Sequence, residues 1–288
     1  PSMATNDLLQ AEARERSRVA IAAAVAALLM LAAAVAGIVA QQDAPDNLPA
    51  ALLYRDDQKA GVLLSAVCSG LSSIALAVVL DFLLRATRAR SAVATPGWVR
   101  PLPWLGGVGL AALVIAGQIV LVVKVAHFAA DGTQTYQEAR DLLQAGDYRT
   151  LTYLTIVPQM AFAFGMVLVS LGAMRVGLLT RFLGYLGVIS AILFVFPLVP
   201  LPIVQIYWAG MVAILLWPRF AGPREPPAWR TTEPVPWPSA QELREQRVRA
   251  AEARRGRPVP EPADDEVGAD AAPVADAGRA RRKRKKRR

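Results

Sequence analysis

VAIAAAVAALLMLAAAVAGIVA, residues 19–40, is a run of 22 residues with no charge and no side-chain hydrogen-bonding group. A helix crossing a hydrocarbon layer of about 30 Å needs roughly 20 apolar residues at 1.5 Å rise each, so this run is long enough to span a bilayer. Three further runs are as long and almost without charge, at 61–84, 104–127 and 151–173. A fifth apolar block, 182–217, is too long for one span and is interrupted by Pro197, Pro200 and Pro202, whose missing N–H groups and fixed φ favour a turn. It reads as a helical hairpin. The fold class is therefore all-α: a polytopic transmembrane helical bundle with six spans and a disordered, basic cytoplasmic tail. The domain division is an N-terminal cytoplasmic segment, 1–18, a six-helix membrane domain, 19–218, and a tail, 219–288.

The rival reading of the first run is a secretory signal peptide, because Arg18 precedes it and the triplet Ala34-Val35-Ala36 resembles a cleavage site. Its 22 residues exceed the apolar core of about 7 to 15 residues usual in such signals. Retention as a span is the expectation.

Orientation follows from the cationic residues beside the spans. Arg14, Arg16, Arg18, Arg85, Arg88, Arg90, Arg100, Arg175, Arg181, Arg219, Arg224 and Arg230 flank one side, against Arg55, Lys59, Arg140 and Arg149 on the other. This asymmetry predicts that both termini are cytoplasmic. In the second outer segment, 133–145 lies between Gly132 and Gly146, with Tyr136, Ala139, Leu142 and Leu143 at helical spacing. A short surface helix is expected there.

The 288 residues are 54% apolar and 19% charged, yet their formal charge is +9, so the charge must be segregated. Nine of the last ten residues, Arg279, Arg281, Arg282, Lys283, Arg284, Lys285, Lys286, Arg287 and Arg288, account for that excess. Near an anionic leaflet each cation is worth about 1 kcal/mol, an upper figure on the order of 9 kcal/mol before screening. Anionic lipid headgroups are the expected partner, with nucleic acid or another polyanion as the alternative. No aromatic residue interrupts the cluster, so base stacking is not indicated. Before it, 257–278 has the Pro, Ala and acid content of a linker, and Ser239 with Glu242 forms a capping-box pattern opening a charged helix. Residues 223–238, rich in Pro and Trp, are expected to lie extended at the membrane surface with Trp229 and Trp237 among the headgroups.

Within the spans, polar residues are few. Ser65, Ser69, Ser72 and Ser73 form a stripe at i, i+4, i+7 and i+8 on the second span; it lines a polar pathway or lets helices approach and hydrogen-bond. Pro158 frees the carbonyl of Leu154, and with Gln159, Gln118 and Ser69 it marks a candidate cavity or hinge; the other reading is kinked packing around a hydrogen-bonded glutamine. Gln205 and Tyr207 add polar groups on the last span. Lys124, His127 and Asp131, at i, i+3 and i+7, form a candidate outer polar patch: either a pH-sensitive or anion-binding surface, or an interfacial lysine with two boundary residues. Asp81 and Arg85 are spaced as an i, i+4 ion pair.

One histidine and one cysteine, Cys68, exclude a His-pair or Cys-cluster zinc site and an intramolecular disulfide. No HExxH, GxSxG or Walker pattern is present, and Gly106, Gly107 and Gly109 follow no strand. No cofactor is implied. A serine–lysine enzyme would need a serine beside Lys124.

The stretch RFLGYLG, 181–187, followed by the apolar hairpin, resembles the late-span pattern of uncharacterised bacterial, actinobacterial-type six-span membrane proteins. Their tails also look like the Pro-Ala-Trp and Pro-Trp-Pro elements within 227–238. Arginine outnumbers lysine 27 to 5, as in high-GC bacteria. The resemblance implies a bacterial plasma-membrane protein and supplies no catalytic residue. The expected role is a non-enzymatic scaffold, sensor or assembly factor whose tail binds a polyanion; the alternative is a small-solute transporter or channel.

Deleting residues 279–288 is expected to weaken binding to phosphatidylglycerol-containing liposomes or to RNA, more so at low salt, in a flotation or filter-binding assay. Unchanged binding would overturn the assignment of that cluster.

Overall fold

The computed structural model describes residues 3–196, 202–217 and 226–237, together with Glu242, Arg244, Glu245, Val248 and Arg249. Residues 1–237 form one compact unit and 238–288 a second. In the second unit the described residues are helical, with Arg249 and Glu245 in contact at 4.0 Å. Residues 279–288 and the prolines at 197 and 200 lie outside the described residues.

Eight α-helices make up the first unit among its described residues: α1 (Met3–Val39), α2 (Leu48–Asp57), α3 (Lys59–Arg90), α4 (Leu102–Asp131), α5 (Tyr136–Gln144), α6 (Gly146–Arg175), α7 (Arg181–Val195) and α8 (Ile203–Leu216). α1, α3, α4 and α6 are long and apolar enough to cross a membrane. Large apolar side chains such as Leu28, Leu64, Leu105, Val157 and Phe164 are exposed on their outward faces. An apolar exterior of this extent suits hydrocarbon and not water.

α7 and α8 have 15 and 14 residues. At 1.5 Å per residue they are about 21 to 23 Å long, shorter than a full crossing. Thr180 caps α7, its Oγ1 accepting from Leu183 N.

The helices close a ring in the order α1, α3, α4, α6, α7, α8 and back to α1, with α3 also touching α6 across it. Alanines let α1 approach: Ala20, Ala23 and Ala26 are fully buried in the shared core with Leu80, Leu83, Phe162 and Trp208. α1 packs on both α3 and α8, so the first apolar run is an integral wall of the bundle. Gly106 and Gly107 mark close crossings of α4. A Cβ on Gly106 would meet the backbone of Phe162 at 2.5 Å, and one on Gly107 would meet Ser73 O at 2.8 Å. These glycines bring helices together.

One end of the ring is rich in arginine and carries the N-terminal part of α1, the end of α3 and the turn between α6 and α7. The opposite end is covered by α2 and α5. α5 falls within the segment expected to be helical, opened by Thr135 Oγ1, which accepts from Glu138 N, while the Glu138 carboxylate accepts from Gln134 N and Thr133 Oγ1. Ala139 is buried with Leu52, Leu121, Val125 and Phe128. Tyr136 is exposed, off the face assigned to it by spacing. α2 occupies the first loop.

Gly107→Leu is expected to destabilise the bundle by about 1 to 3 kcal/mol, the usual range for overpacking, whereas Gly117→Ala, in open space, is tolerated. Thermal unfolding in detergent checks this; equal midpoints would contradict the crossing.

Candidate functional site

Two neighbouring cavities lie along α3, one near the middle of the bundle and the other nearer α2. The deeper, of about 240 Å³, is lined by Met30, Ser69, Ser72, Ser73, Leu110 and Gln205, among others. The second, about 230 Å³, is lined by Gln41, Arg55, Ser65, Ser69, Val114 and Gln118, among others. Ser65, Ser69 and Val114 belong to both walls.

Helix length explains why there is space. α7 and α8 rise from the arginine-rich end, and Phe194, near the end of α7, meets Gln159 on α6 through a 2.7 Å hydrogen bond from Gln159 Nε2 to Phe194 O. Gln159 is about 24 Å along α6 from Arg175. Beyond that depth α1, α3, α4 and α6 continue without these two helices between them.

The serine stripe bonds to neighbouring helices and borders the cavities. Ser65 Oγ donates to Ala33 O of α1 at 2.9 Å, and Ser73 Oγ is shared between Gly70 O at 2.7 Å and Gly107 O of α4 at 2.9 Å. Those bonds tie α3 to its neighbours, while the same residues and Ser69 line the cavities. Gln118 lines the second cavity, where its Oε1 accepts from Arg55 Nη2 at 3.2 Å. Gln159 serves the end of α7 instead, because the last carbonyls of a helix lack intrahelical partners. Pro158 sits inside continuous α6 and packs on Gly109, where a Cβ would come within 2.8 Å of the ring. Tyr207 stands edge-on to Phe182, 6.5 Å between centroids.

The outer polar patch divides. Lys124 Nζ pairs with Asp147 Oδ2 at 3.0 Å, linking α4 to the first turn of α6. His127 Nδ1 and Asp131 Oδ2 are 3.5 Å apart and both side chains are exposed. Among the described residues, no three His, Cys, Asp or Glu side chains come together as a metal-binding group.

The arginine-rich end holds a cluster that sequence reading missed. Arg90 is buried and bidentate to Glu12 of α1, Nη1 to Oε1 at 2.9 Å and Nη2 to Oε2 at 3.1 Å; its Nε donates to Ala228 O at 2.8 Å. Trp229 stacks on Phe82 with 6.0 Å between ring centroids, and the Arg16 and Arg90 guanidinium carbons lie 4.5 and 5.4 Å from the indole centroid. Its Nε1 donates to Leu178 O at 3.0 Å, and Trp237 Nε1 donates to Leu179 O at 2.8 Å. Val235 N donates to Val176 O at 3.1 Å, beside Gly177, whose φ of +82° and lack of Cβ admit the Val235 carbonyl.

These contacts place Trp229, expected extended among headgroups, in a short 3-10 turn against the bundle, and leave Trp237 part-buried. Trp229 is 7% exposed, and 226–237 is docked on the bundle. The α6–α7 turn leaves carbonyls open, and the two indoles satisfy them. Arg90 has no acid one helical turn away on α3, so its partner on α1 is invisible in the sequence. Arg85 does bond Asp81 as spaced, Nε to Oδ2 at 3.1 Å, and reaches Glu15 of α1 as well, at 2.6 Å.

The ring, its apolar core and exterior, and four helices long and apolar enough to cross a membrane make an all-α bundle compatible with a membrane protein. Comparison with protein-family models, curated proteins and solved structures finds no match for this chain.

Trp229→Ala is expected to free 226–237, with faster tryptic cleavage at Arg230 and a stability loss of about 3 to 5 kcal/mol, as for other buried aromatic truncations. Limited proteolysis and thermal unfolding measure both; unchanged cleavage would contradict the docking.

Proposed function

We propose that this chain is a bacterial plasma-membrane protein with both termini cytoplasmic that admits a small polar solute from the outer side to a cavity near mid-membrane, as a transporter or channel. The observation that carries this reading is the pair of adjoining cavities sharing Ser65, Ser69 and Val114. Serine hydroxyls and the amides of Gln118 and Gln205 are groups that replace part of a solute's hydration at a depth where lipid offers none.

In this proposal six helices are membrane-inserted, four as complete crossings and α7 with α8 as a shortened hairpin entering from the cytoplasmic side. The arginine asymmetry supports that orientation. The shortened hairpin forms the floor of the vestibule. Movement of α7 and α8 against α1 and α3 is then the step that would open the deeper cavity inward.

A second reading, a non-enzymatic scaffold, sensor or assembly factor whose tail binds anionic lipid or a nucleic acid, is favoured by one feature. Docking of 226–237 onto the arginine-rich end roots the tail there, close to the anionic leaflet that residues 279–288 would engage.

In a Cys68→Ala background, Ser69→Cys in right-side-out cells is expected to react with a membrane-impermeant thiosulfonate. Gln159→Cys is expected to react at least tenfold more slowly. Reaction of Ser69→Cys from the cytoplasmic side alone, or from neither side, would overturn the outward vestibule.

A further inference from the structure

The vestibule is electrically asymmetric. Among the described residues lining the second cavity, Arg55 carries the only charge. Its side chain runs inward: Leu52, one turn earlier on α2, packs with Leu121 and Val125 of α4, whereas Arg55 reaches Gln118, about one turn deeper along α4. An interfacial arginine that merely extended to the headgroups would point the other way. A part-buried guanidinium facing a cavity lined by no carboxylate is costly to leave unmatched.

The hydrogen bonding is also incomplete. Nη2 donates to Gln118 Oε1, and Nε is shielded from solvent without a hydrogen-bond partner. Gln118, its carbonyl engaged, keeps its amide N–H donors for another acceptor. Ser69 stands between this group and the deeper cavity. The ensemble offers a fixed positive charge, an unused guanidinium N–H and an amide donor around a space of about 230 Å³, and no competing carboxylate among the lining residues.

We infer that Arg55 and Gln118 form the capture site for a small oxyanion, a carboxylate or phosphate group, at the mouth of the vestibule. The inference rests on the outward vestibule and specifies its ligand. Charge-assisted bonds from a planar guanidinium suit two oxygens of one anion, and the cavity has room for a few heavy atoms. The same chemistry is present in a free anion and in a lipid phosphate, so the test must separate them.

The test uses the full chain carrying Cys68→Ala and Ser69→Cys, reconstituted in phosphatidylcholine nanodiscs, with the thiosulfonate labelling rate as readout. Acetate or inorganic phosphate at millimolar concentration is expected to slow labelling at least threefold, with acetamide without effect. Arg55→Gln is expected to abolish that protection and Arg55→Lys to keep part of it. Gln118→Glu, which places a carboxylate against Arg55, is expected to abolish it too, and it serves where Arg55→Gln does not fold. If neither anion protects in phosphatidylcholine but phosphatidylglycerol nanodiscs do so through Arg55, the oxyanion is a lipid phosphate and the site stands. Labelling that proceeds normally but is unaffected by any anion, or protection that survives both Arg55→Gln and Gln118→Glu, overturns the capture site and leaves the vestibule intact. Absence of labelling at Ser69→Cys without any anion overturns the vestibule itself.

Discussion

Every backbone carbonyl in an apolar surround needs a donor, and this constraint organises the first unit. Within a helix the chain supplies its own. At helix ends it cannot, and there the scarce polar side chains are found. Trp229 and Trp237 serve Leu178 and Leu179 in the α6–α7 turn, Gln159 serves Phe194 at the end of α7, and Arg16 serves Leu215 at the end of α8. Several residues that look like ligands for a solute are ligands for the protein's own backbone.

The arginine-rich end meets a second demand of the same kind. Burying Arg90 is favourable only because Glu12 and two carbonyls, Ala86 and Ala228, engage its guanidinium. The indole of Trp229 covers that assembly and excludes water from it. α1, α3, the α6–α7 turn and 226–237 are thus held by one cluster, and removal of any member leaves a buried polar group unmatched.

The cavities follow from a mismatch of lengths. Two of the six ring helices are short, and near their ends α1, α3 and α4 border space that their alanine, glycine and serine side chains do not fill. Ser65 and Ser73 bond across helix interfaces and face that space at once, so packing and solute-binding roles for the stripe are compatible. Arg55 differs from the other residues lining the second cavity in carrying a charge.

The sequence by itself determined the all-helical architecture, the four long apolar helices and the surface helix α5, because hydrophobic length and helical spacing are local properties of the chain. It also marked Ser69 and Gln118, which line the cavities, since a polar residue in an apolar run stands out wherever it later packs. It left Gln159 and Pro158 between a cavity or hinge and kinked packing around a hydrogen-bonded glutamine, and only the tertiary structure supplied their partners, the end of α7 and the surface of Gly109. Arg55 counted in sequence only as a loop charge, and Trp229 only as an aromatic in a proline-rich stretch. Their roles depend on α2 folding inward against α4 and on 226–237 returning to Phe82 and Arg90, contacts between residues 63 and roughly 140 positions apart. Spacing along the chain carries no information about such pairs; only the closing of the ring brings them together.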